Sequence, residues 1–460
     1  MSNKNSSTKE IALAINRRRF IYYSSIASAA ALIGCRTNPA TTARINYKSP
    51  NEKLNIGCIG VEGKGTSDIA GCAGENIVAL CDVDDTKLTG AGQKYKGATL
   101  YHDYREMLEK QKNLDAVVIS IPDHHHAPAA IRAIHLGKHV YCQKPLTHTI
   151  WEARQLTEAA RKYKVATQMG NQGHSHDGNR RLCEVIWSGA IGDVSEVHCW
   201  SNRPIWPQGV ERPAGADPVP ANLNWDLWLG PAPVRPFKST WPNGTAVYHP
   251  ISWRGYWDFG CGALGDMGCH ILDGANWALK LGAPTSVELV ESTPSTKESP
   301  GTSAVIRYQF PARGTMPPVT LTWYDGGKKP ARPAEMETQT LQENGAIFIG
   351  SKGKIFSDTY GTGLTLLPES KMKDYVMPAP QIARVPNNDS HGEWIRACKG
   401  GVAASSNFDV SGPFSETVLL GNLAMRVGGK LEWDSKHLCV KNSPEAAQYI
   451  RKQYRKGWEV

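Results

Sequence analysis

A lysine followed by proline, Lys144-Pro145, closes an apolar run at His139–Cys142, and an Asp-x-x-x-His pair, Asp266 and His270, lies farther along the chain. A cation at the end of a buried strand can reach a bound cofactor or stabilise a developing negative charge. On a helix, Asp266 and His270 are four residues apart and share a face, with Asp273 close to the same stripe. A carboxylate so placed can orient an imidazole and raise its basicity, as a general base requires. A zinc site would need a third ligand, and the sequence around the pair offers no clear one.

A second constellation is a glycine-rich turn, Gly60-Val61-Glu62-Gly63-Lys64-Gly65, between an apolar run and a probable helix. Glycines let the backbone turn tightly and let a phosphate approach the helix N-terminus, where amide donors and the dipole favour an anion. Glu62 stands where the usual pattern has its middle glycine, and its carboxylate would repel a diphosphate unless it points away. Asp82 ends the next apolar run. A carboxylate there accepts hydrogen bonds from ribose hydroxyls and repels a 2′-phosphate, which favours NAD over NADP.

These residues need elements to hold them. Apolar runs at Leu54–Ile59, Ile77–Cys81, Leu114–Ile121, His139–Cys142 and Val165–Met169 read as strands, and Ala127–Leu136 and Ile150–Tyr163 as helices. Strands alternating with helices predict a doubly wound parallel sheet of Rossmann type over residues 54–175. Beyond a helix at Asn179–Ser188, period-two runs at Ser286–Ser292, Ala304–Phe310, Val319–Tyr324 and Ala346–Phe356 predict a C-terminal α+β domain, 176–440, with a large and mostly antiparallel open sheet. Residues 441–460 read as a tail. Ser390-His391-Gly392-Glu393 has the pattern of a capping box opening a helix.

His124-His125-His126 follows Pro122-Asp123. Three adjacent side chains point in different directions, so a shared metal is disfavoured. A loop lying over the cofactor at the C-terminal edge of the sheet is the expectation, with Pro122 and His126 against it. The segment from Asn202 to Trp257 carries Trp206, Trp225, Trp228, Trp241, Trp253 and Trp257. Their faces could stack on sugar rings or simply pack the domain together. Trp253, Asn171, His174 and Asp273 are candidates for a substrate cleft.

In this order, the glycine turn, Asp82, the Pro122–His126 segment, Lys144-Pro145 and Asp266-x-x-x-His270 resemble the Gfo/Idh/MocA dehydrogenases, the glucose–fructose oxidoreductase and inositol dehydrogenase type. The resemblance covers roughly residues 54–435. It implies a tightly bound NAD and a carbohydrate substrate, and an open C-terminal sheet that often mediates homo-oligomers. Lys144 would touch the nicotinamide ribose and the substrate hydroxyl, and His270, beside Asp266, would accept the proton. Gln143 departs from the family's glutamate before the lysine. Some relatives are NAD-dependent glycoside hydrolases, which gives an alternative function, and a sugar-binding lipoprotein without activity is another.

The composition is that of an ordinary globular enzyme, 40% hydrophobic and 21% charged, in 460 residues. Of the net charge of +9, five basic residues against Glu10 put +4 into residues 1–34. The remainder has no long basic run, so nucleic-acid binding is not expected. Residues 1–34 resemble a twin-arginine export signal, Arg17-Arg18-Arg19 before an apolar stretch, ending in a lipoprotein box at Leu32-Ile33-Gly34-Cys35. Cys35 would then be the lipidated first residue of an exported, periplasmic or cell-envelope protein. Its only membrane contact would be that lipid, and residues 35–53 would be its tether. The other cysteines have no paired spacing and read as buried small hydrophobes.

Overall fold

The structure, a computed structural model, describes residues 47–460. The export signal, Cys35 and most of the tether lie outside the described residues. The first sheet runs β1 (Asn55–Ile59), β2 (Asn76–Cys81), β3 (Thr99–Tyr101), β4 (Ala116–Ile119), β5 (His139–Cys142) and β6 (Thr167–Met169). Their order is β3-β2-β1-β4-β5-β6, parallel throughout. This is the doubly wound order, and its chain reversal between β1 and β4 opens a crevice at their C-terminal ends. Ala-Val-Val-Ile of β4 is buried at every position, because helices cover both faces.

Helices α1 (Lys64–Gly71), α2 (Asp85–Lys94), α3 (Tyr104–Lys110), α4 (Asp123–His135), α5 (Ile150–Tyr163) and α6 (Asp177–Trp187) supply those layers and the link onward. A capping box opens α5: Thr149 Oγ1 accepts from Glu152 N at 3.3 Å, and Thr149 N donates to Glu152 Oε2 at 2.9 Å.

The second sheet has nine strands: β7 (Val194–Trp200), β8 (Ser286–Ser292), β9 (Ala304–Phe310), β10 (Val319–Tyr324), β11 (Gly345–Gly350), β12 (Gly353–Ser357), β13 (Thr365–Leu367), β14 (Lys430–Asp434) and β15 (Cys439–Val440). The order is β13-β12-β11-β7-β10-β9-β8-β14-β15, antiparallel except for β7 beside β10. Helices α7 (Gly262–Ala278), α8 (Ser390–Cys398) and α9 (Phe408–Val427) complete the fold. The class is the expected one: a parallel Rossmann sheet followed by a mostly antiparallel mixed sheet.

Several local expectations need correction. The single strand expected over Ala346–Phe356 is a hairpin, because Gly350 and Gly353 bracket a turn at Ser351-Lys352. No capping box forms at Ser390. Asp389 caps α8 instead, accepting from the amides of His391 at 3.1 Å and Gly392 at 3.0 Å. Glu393 is thereby free to accept from Ser175 Oγ at 2.7 Å and Ser405 N at 3.0 Å. Helix α8 joins the N-terminal core rather than the second sheet, with Trp394 and Cys398 packed among Ile56, Cys58, Leu80 and Tyr141. The ten cysteines among the described residues are unpaired, nine of them buried. No described helix is long and apolar enough to cross a membrane.

Candidate active site

The glycine turn is sterically obligatory at two points. Gly60 has φ +86°, and a Cβ there would lie 2.3 Å from the Ser120 carbonyl oxygen at the end of β4. A Cβ on Gly65 would lie 2.2 Å from the Gly60 carbonyl oxygen. Gly63, at φ +59°, precedes α1 and brings no side chain to cap its first turn. Glu62 is turned aside: its carboxylate takes the ammonium of Lys87 at 2.6 Å. Asp82 accepts from Val61 N and Asp84 N, one on each oxygen, both at 3.0 Å. Each oxygen keeps a lone pair for a hydroxyl donor. Burial pushes the Asp82 carboxyl above its ordinary pKa, and the two backbone donors offset part of that rise.

From this turn a cleft of about 930 Å³ runs past Asp82, Pro122 and Lys144. Its opposite wall comes from the C-terminal half: Trp228, His249, Pro250, Trp253 and Arg254, with Trp458 of the tail. Outside that lining, the Tyr360 ring stands edge-on to His270 at 5.6 Å. The two walls are stitched together beside Asp82. Asp85 N donates to Asn222 O at 2.7 Å, Asn224 N to Val83 O at 2.9 Å, and Asn222 Nδ2 to Asp84 Oδ1 at 2.9 Å. A dinucleotide fits this crevice: a glycine cradle that tolerates no side chain, a helix N-terminus, and an acid at the ribose position.

Lys144 Nζ donates to the Asp266 carboxylate at 2.7 Å and to the Asp266 carbonyl at 2.8 Å. The pair therefore meets across the domains, from the end of β5 to α7. Arg203 Nε and Arg254 Nε approach the same carboxylate at 3.4 and 3.7 Å. Burial alone would raise the Asp266 carboxyl, but Lys144 and then Arg254 hold it below the ordinary value. Helix α7 does put Asp266 and His270 a turn apart, yet Asp266 is spent on the cations and does not orient the imidazole. His270 Nδ1 is buried without a hydrogen-bond partner. Desolvation, then repulsion from Lys144, pushes the imidazole pKa down to about 3, against a partial rise from Asp266.

Gln143 now has a physical reason. Its Nε2 donates to Asp68 Oδ2 at 2.8 Å, and Asp68 also receives Ser120 Oγ at 2.7 Å, His391 Nε2 at 3.1 Å and the Lys64 ammonium. Burial disfavours the Asp68 anion, but His391 and Lys64 hold its carboxyl below the ordinary value. A glutamate at 143 would set a second carboxylate against it.

The remaining candidates divide. Trp253 lines the cleft. Asp273 is committed to His174, Oδ1 to Nδ1 at 2.8 Å, with the imidazole stacked on Trp277 at 4.1 Å. Asn171 Oδ1 accepts from Ser406 Oγ at 2.6 Å. None of these three lines the cleft. The histidine run is not a loop but the first turn of α4. The His124 ring nitrogens face the carbonyls of Phe259 and Trp228, both at 3.2 Å. The His125 Nε2 faces Trp228 O at 2.9 Å. The two nitrogens of His126 face Pro145 O and Ile121 O, both at 2.7 Å, so its ring braces the Lys144 turn and does not line the cleft. Pro128 cannot bond back to the His124 carbonyl, which takes Lys452 Nζ at 3.0 Å instead. Most of the tryptophan segment is core: Trp225 stacks on Trp228 at 4.7 Å amid Tyr248, Tyr256 and Phe259.

Sequence reasoning missed Arg203, Arg254, His249, Tyr360 and Trp458. Isolated arginines in irregular segments carry no spacing signal, and Trp458 is placed only by tertiary packing, against Tyr104 at 5.7 Å and His125 at 5.5 Å.

Comparison with known proteins agrees with this geometry. Residues 54–171 match the NAD-binding Rossmann fold of the Gfo/Idh/MocA oxidoreductase family, and residues 192–460 match its C-terminal alpha/beta domain. An inositol 2-dehydrogenase of Salmonella paratyphi B is 30% identical over 151 residues, 32% of this chain and 45% of that protein. A glycosyl hydrolase family 109 protein of Solibacter usitatus is 28% identical over 197 residues, 39% of this chain and 44% of that protein. The chain thus spans less than half the length of these relatives. The WlbA dehydrogenase of Bordetella pertussis, solved with NADH and UDP-GlcNAcA, superposes with a TM-score of 0.59 at 17% identity, covering 83% of this chain and 99% of that one. Two domain matches in sequence, together spanning most of residues 54–460, place the chain in the Gfo/Idh/MocA oxidoreductase family, with an NAD-binding Rossmann domain ahead of the C-terminal domain.

Proposed function

We propose that the protein oxidises a secondary hydroxyl of a sugar or cyclitol with NAD held in the cleft. The observation that carries this reading is the Lys144 ammonium, fixed by Asp266 at the end of a crevice that begins at the glycine turn. Bound NAD supplies the hydride acceptor. The chain's own residues do the rest. Gly60, Gly63 and Gly65 admit the diphosphate, and Asp82 holds the ribose and disfavours a 2′-phosphate. Asp266 positions Lys144, whose ammonium stabilises the alkoxide as the hydroxyl loses its proton. His270, uncharged at neutral pH, accepts that proton as the carbon–oxygen double bond forms. Trp253 borders the same cleft as Lys144, its ring largely buried and covered by Arg254.

The exported lipoprotein form belongs to the same proposal. A folded, cofactor-loaded protein suits twin-arginine export, and a cofactor outside the cytoplasm must stay bound between turnovers. The C-terminal sheet presents a polar face with Glu196, Glu288 and Arg307 half exposed, the surface we assign to self-association.

The test is to denature the purified full-length protein, identify the released nucleotide, and follow 340 nm absorbance of the native protein with sugars and cyclitols. Reduction with keto-sugar formation supports the reading, and absence of any nicotinamide overturns it. The hydrolase relative favours a second reading, transient oxidation followed by elimination and hydration. A cleaved glycoside with no net change at 340 nm would establish that one. For the anchor, Cys35→Ala is expected to release the protein from the membrane fraction.

A further inference from the structure

Asp266 is outnumbered. Three cations from three separate segments converge on its one carboxylate: Lys144 after β5, Arg203 after β7, and Arg254 in the short turn before α7. Lys144 is satisfied by that carboxylate and the Asp266 carbonyl. The arginines are not. Arg203 Nε is buried without a hydrogen-bond partner, and its Nη1 donates only to Asn202 Oδ1 at 2.6 Å. Arg254 lies over the Trp253 ring at 4.3 Å, and its guanidinium makes one long hydrogen bond, to Ile251 O at 3.4 Å. Among the described residues neither has another carboxylate partner.

The surrounding groups do not restore the balance. Asp123 is buried near Arg254 and Lys144 and accepts from Cys261 N at 3.0 Å. Counted as ionised, it still leaves three cations to two carboxylates. Lys64 is matched by Asp68. Asp358, near Tyr360, is consumed by the Thr362 hydroxyl and by the amides of Tyr360, Thr362 and Gly363. The cofactor's diphosphate has its own cradle at Gly60–Gly65. Unmatched guanidinium forks in a partly desolvated cleft are costly unless an acceptor-only anion meets them, and a planar carboxylate matches two forks best.

Resting on the reading above, we propose that the substrate is an acidic sugar, a hexuronic acid or related sugar acid, whose carboxylate is held by Arg203 and Arg254 while a secondary hydroxyl lies on Lys144. The chemistry balances as in the neutral case: the hydroxyl proton goes to His270 and the hydride to bound NAD, leaving a ketone with the carboxylate unchanged. The carboxylate also has a use during reaction. Burial is the main cause of the low His270 basicity, and the carboxylate offsets the smaller part that comes from the repulsion of Lys144.

The experiment uses the full-length, nucleotide-loaded protein. D-Glucuronate and D-galacturonate are compared with D-glucose and D-galactose for reduction at 340 nm and for quenching of tryptophan fluorescence. The acids are expected to half-saturate at concentrations about tenfold or more lower, the worth of one charge-assisted pair. Arg254→Gln and Arg203→Gln are expected to shrink that preference in both readouts, with partial recovery in Arg254→Lys, and added salt to weaken binding of the acids alone. Neutral sugars reacting as well as the acids, or a preference that survives both glutamine variants, overturns the proposal and leaves the oxidoreductase reading standing. Failure of every sugar, acidic and neutral, to bind or react overturns both.

Discussion

Two clusters border the cleft, one through His125 and the other through Lys144 and Arg254, and they are built on opposite plans. Around α4, His124, His125 and His126 each set at least one ring nitrogen against a backbone carbonyl, and His125 Nδ1 reaches the Tyr104 hydroxyl at 3.3 Å. Around α7, His270 Nδ1 and Arg203 Nε are buried and unmatched, and three cations share one carboxylate. Three adjacent histidines look like the more dramatic chemistry, but His124 and His125 staple the Rossmann domain to the tryptophan-rich segment and His126 braces the Lys144 turn. The unremarkable Asp-x-x-x-His holds the unspent polar groups. Reactive capacity resides where hydrogen bonds and charges are left open, and structural capacity where they are closed.

Four measurements break or sharpen that contrast. The largest effect is expected at Lys144. Lys144→Met removes the cation we place on the reacting hydroxyl, and hydride transfer is expected to fall on the order of a thousandfold, read as single-turnover reduction at 340 nm with nucleotide content unchanged. His270→Gln is expected to cost about 10²–10⁴-fold in the same assay. A loss in either variant that tracks a drop in thermal stability would move α7 into the structural class and erase the distinction.

His125→Asn acts on the other side. It is expected to cost about 1–3 kcal/mol of stability by urea unfolding, the penalty for buried carbonyl and hydroxyl partners left unmatched, with the single-turnover rate near wild type. The same variant reads out a pH dependence. Burial pushes His125 down to about 3 and His124 and His148 down as well. The unfolded chain therefore binds protons that the folded chain refuses. Stability is full above the ordinary histidine pKa of about 6.5 and declines as pH falls from there toward 3, by about 1.4 kcal/mol per unit for each such histidine. His125→Asn is expected to flatten that decline, and an unchanged slope would sink the assignment. The smallest effect is expected from Gln143→Glu. It sets a second carboxylate against Asp68, costs about 1 kcal/mol in chemical denaturation, and changes the hydride-transfer rate less than tenfold.

Most of the parallel sheet was legible because each strand is a local apolar run ended by chemistry: Ile59 before Gly60, Cys81 before Asp82, Cys142 before Lys144. The Asp266–His270 spacing was legible for the same reason, since helical period is local. What Asp266 does with its charge was not, because Lys144 and Arg203 reach it from 122 and 63 positions away in the chain. The histidine run was misplaced because Asp123 and Pro122 form a helix start that the run itself conceals. Glu62 and Gln143 looked like defects until Lys87 and Asp68 appeared beside them, and neither partner is near in sequence.

The stitches between Val83–Asp85 and Asn222–Asn224 carry a kinetic meaning. They join the two walls beside Asp82 through two backbone hydrogen bonds and one between side chains, so local opening of that seam is expected to speed the release of a bound nucleotide. Amide exchange at Asp85 and Asn224 becomes a clock for cofactor loss. A seam slow on that clock lets a single nucleotide, loaded once, serve the protein for as long as it remains folded.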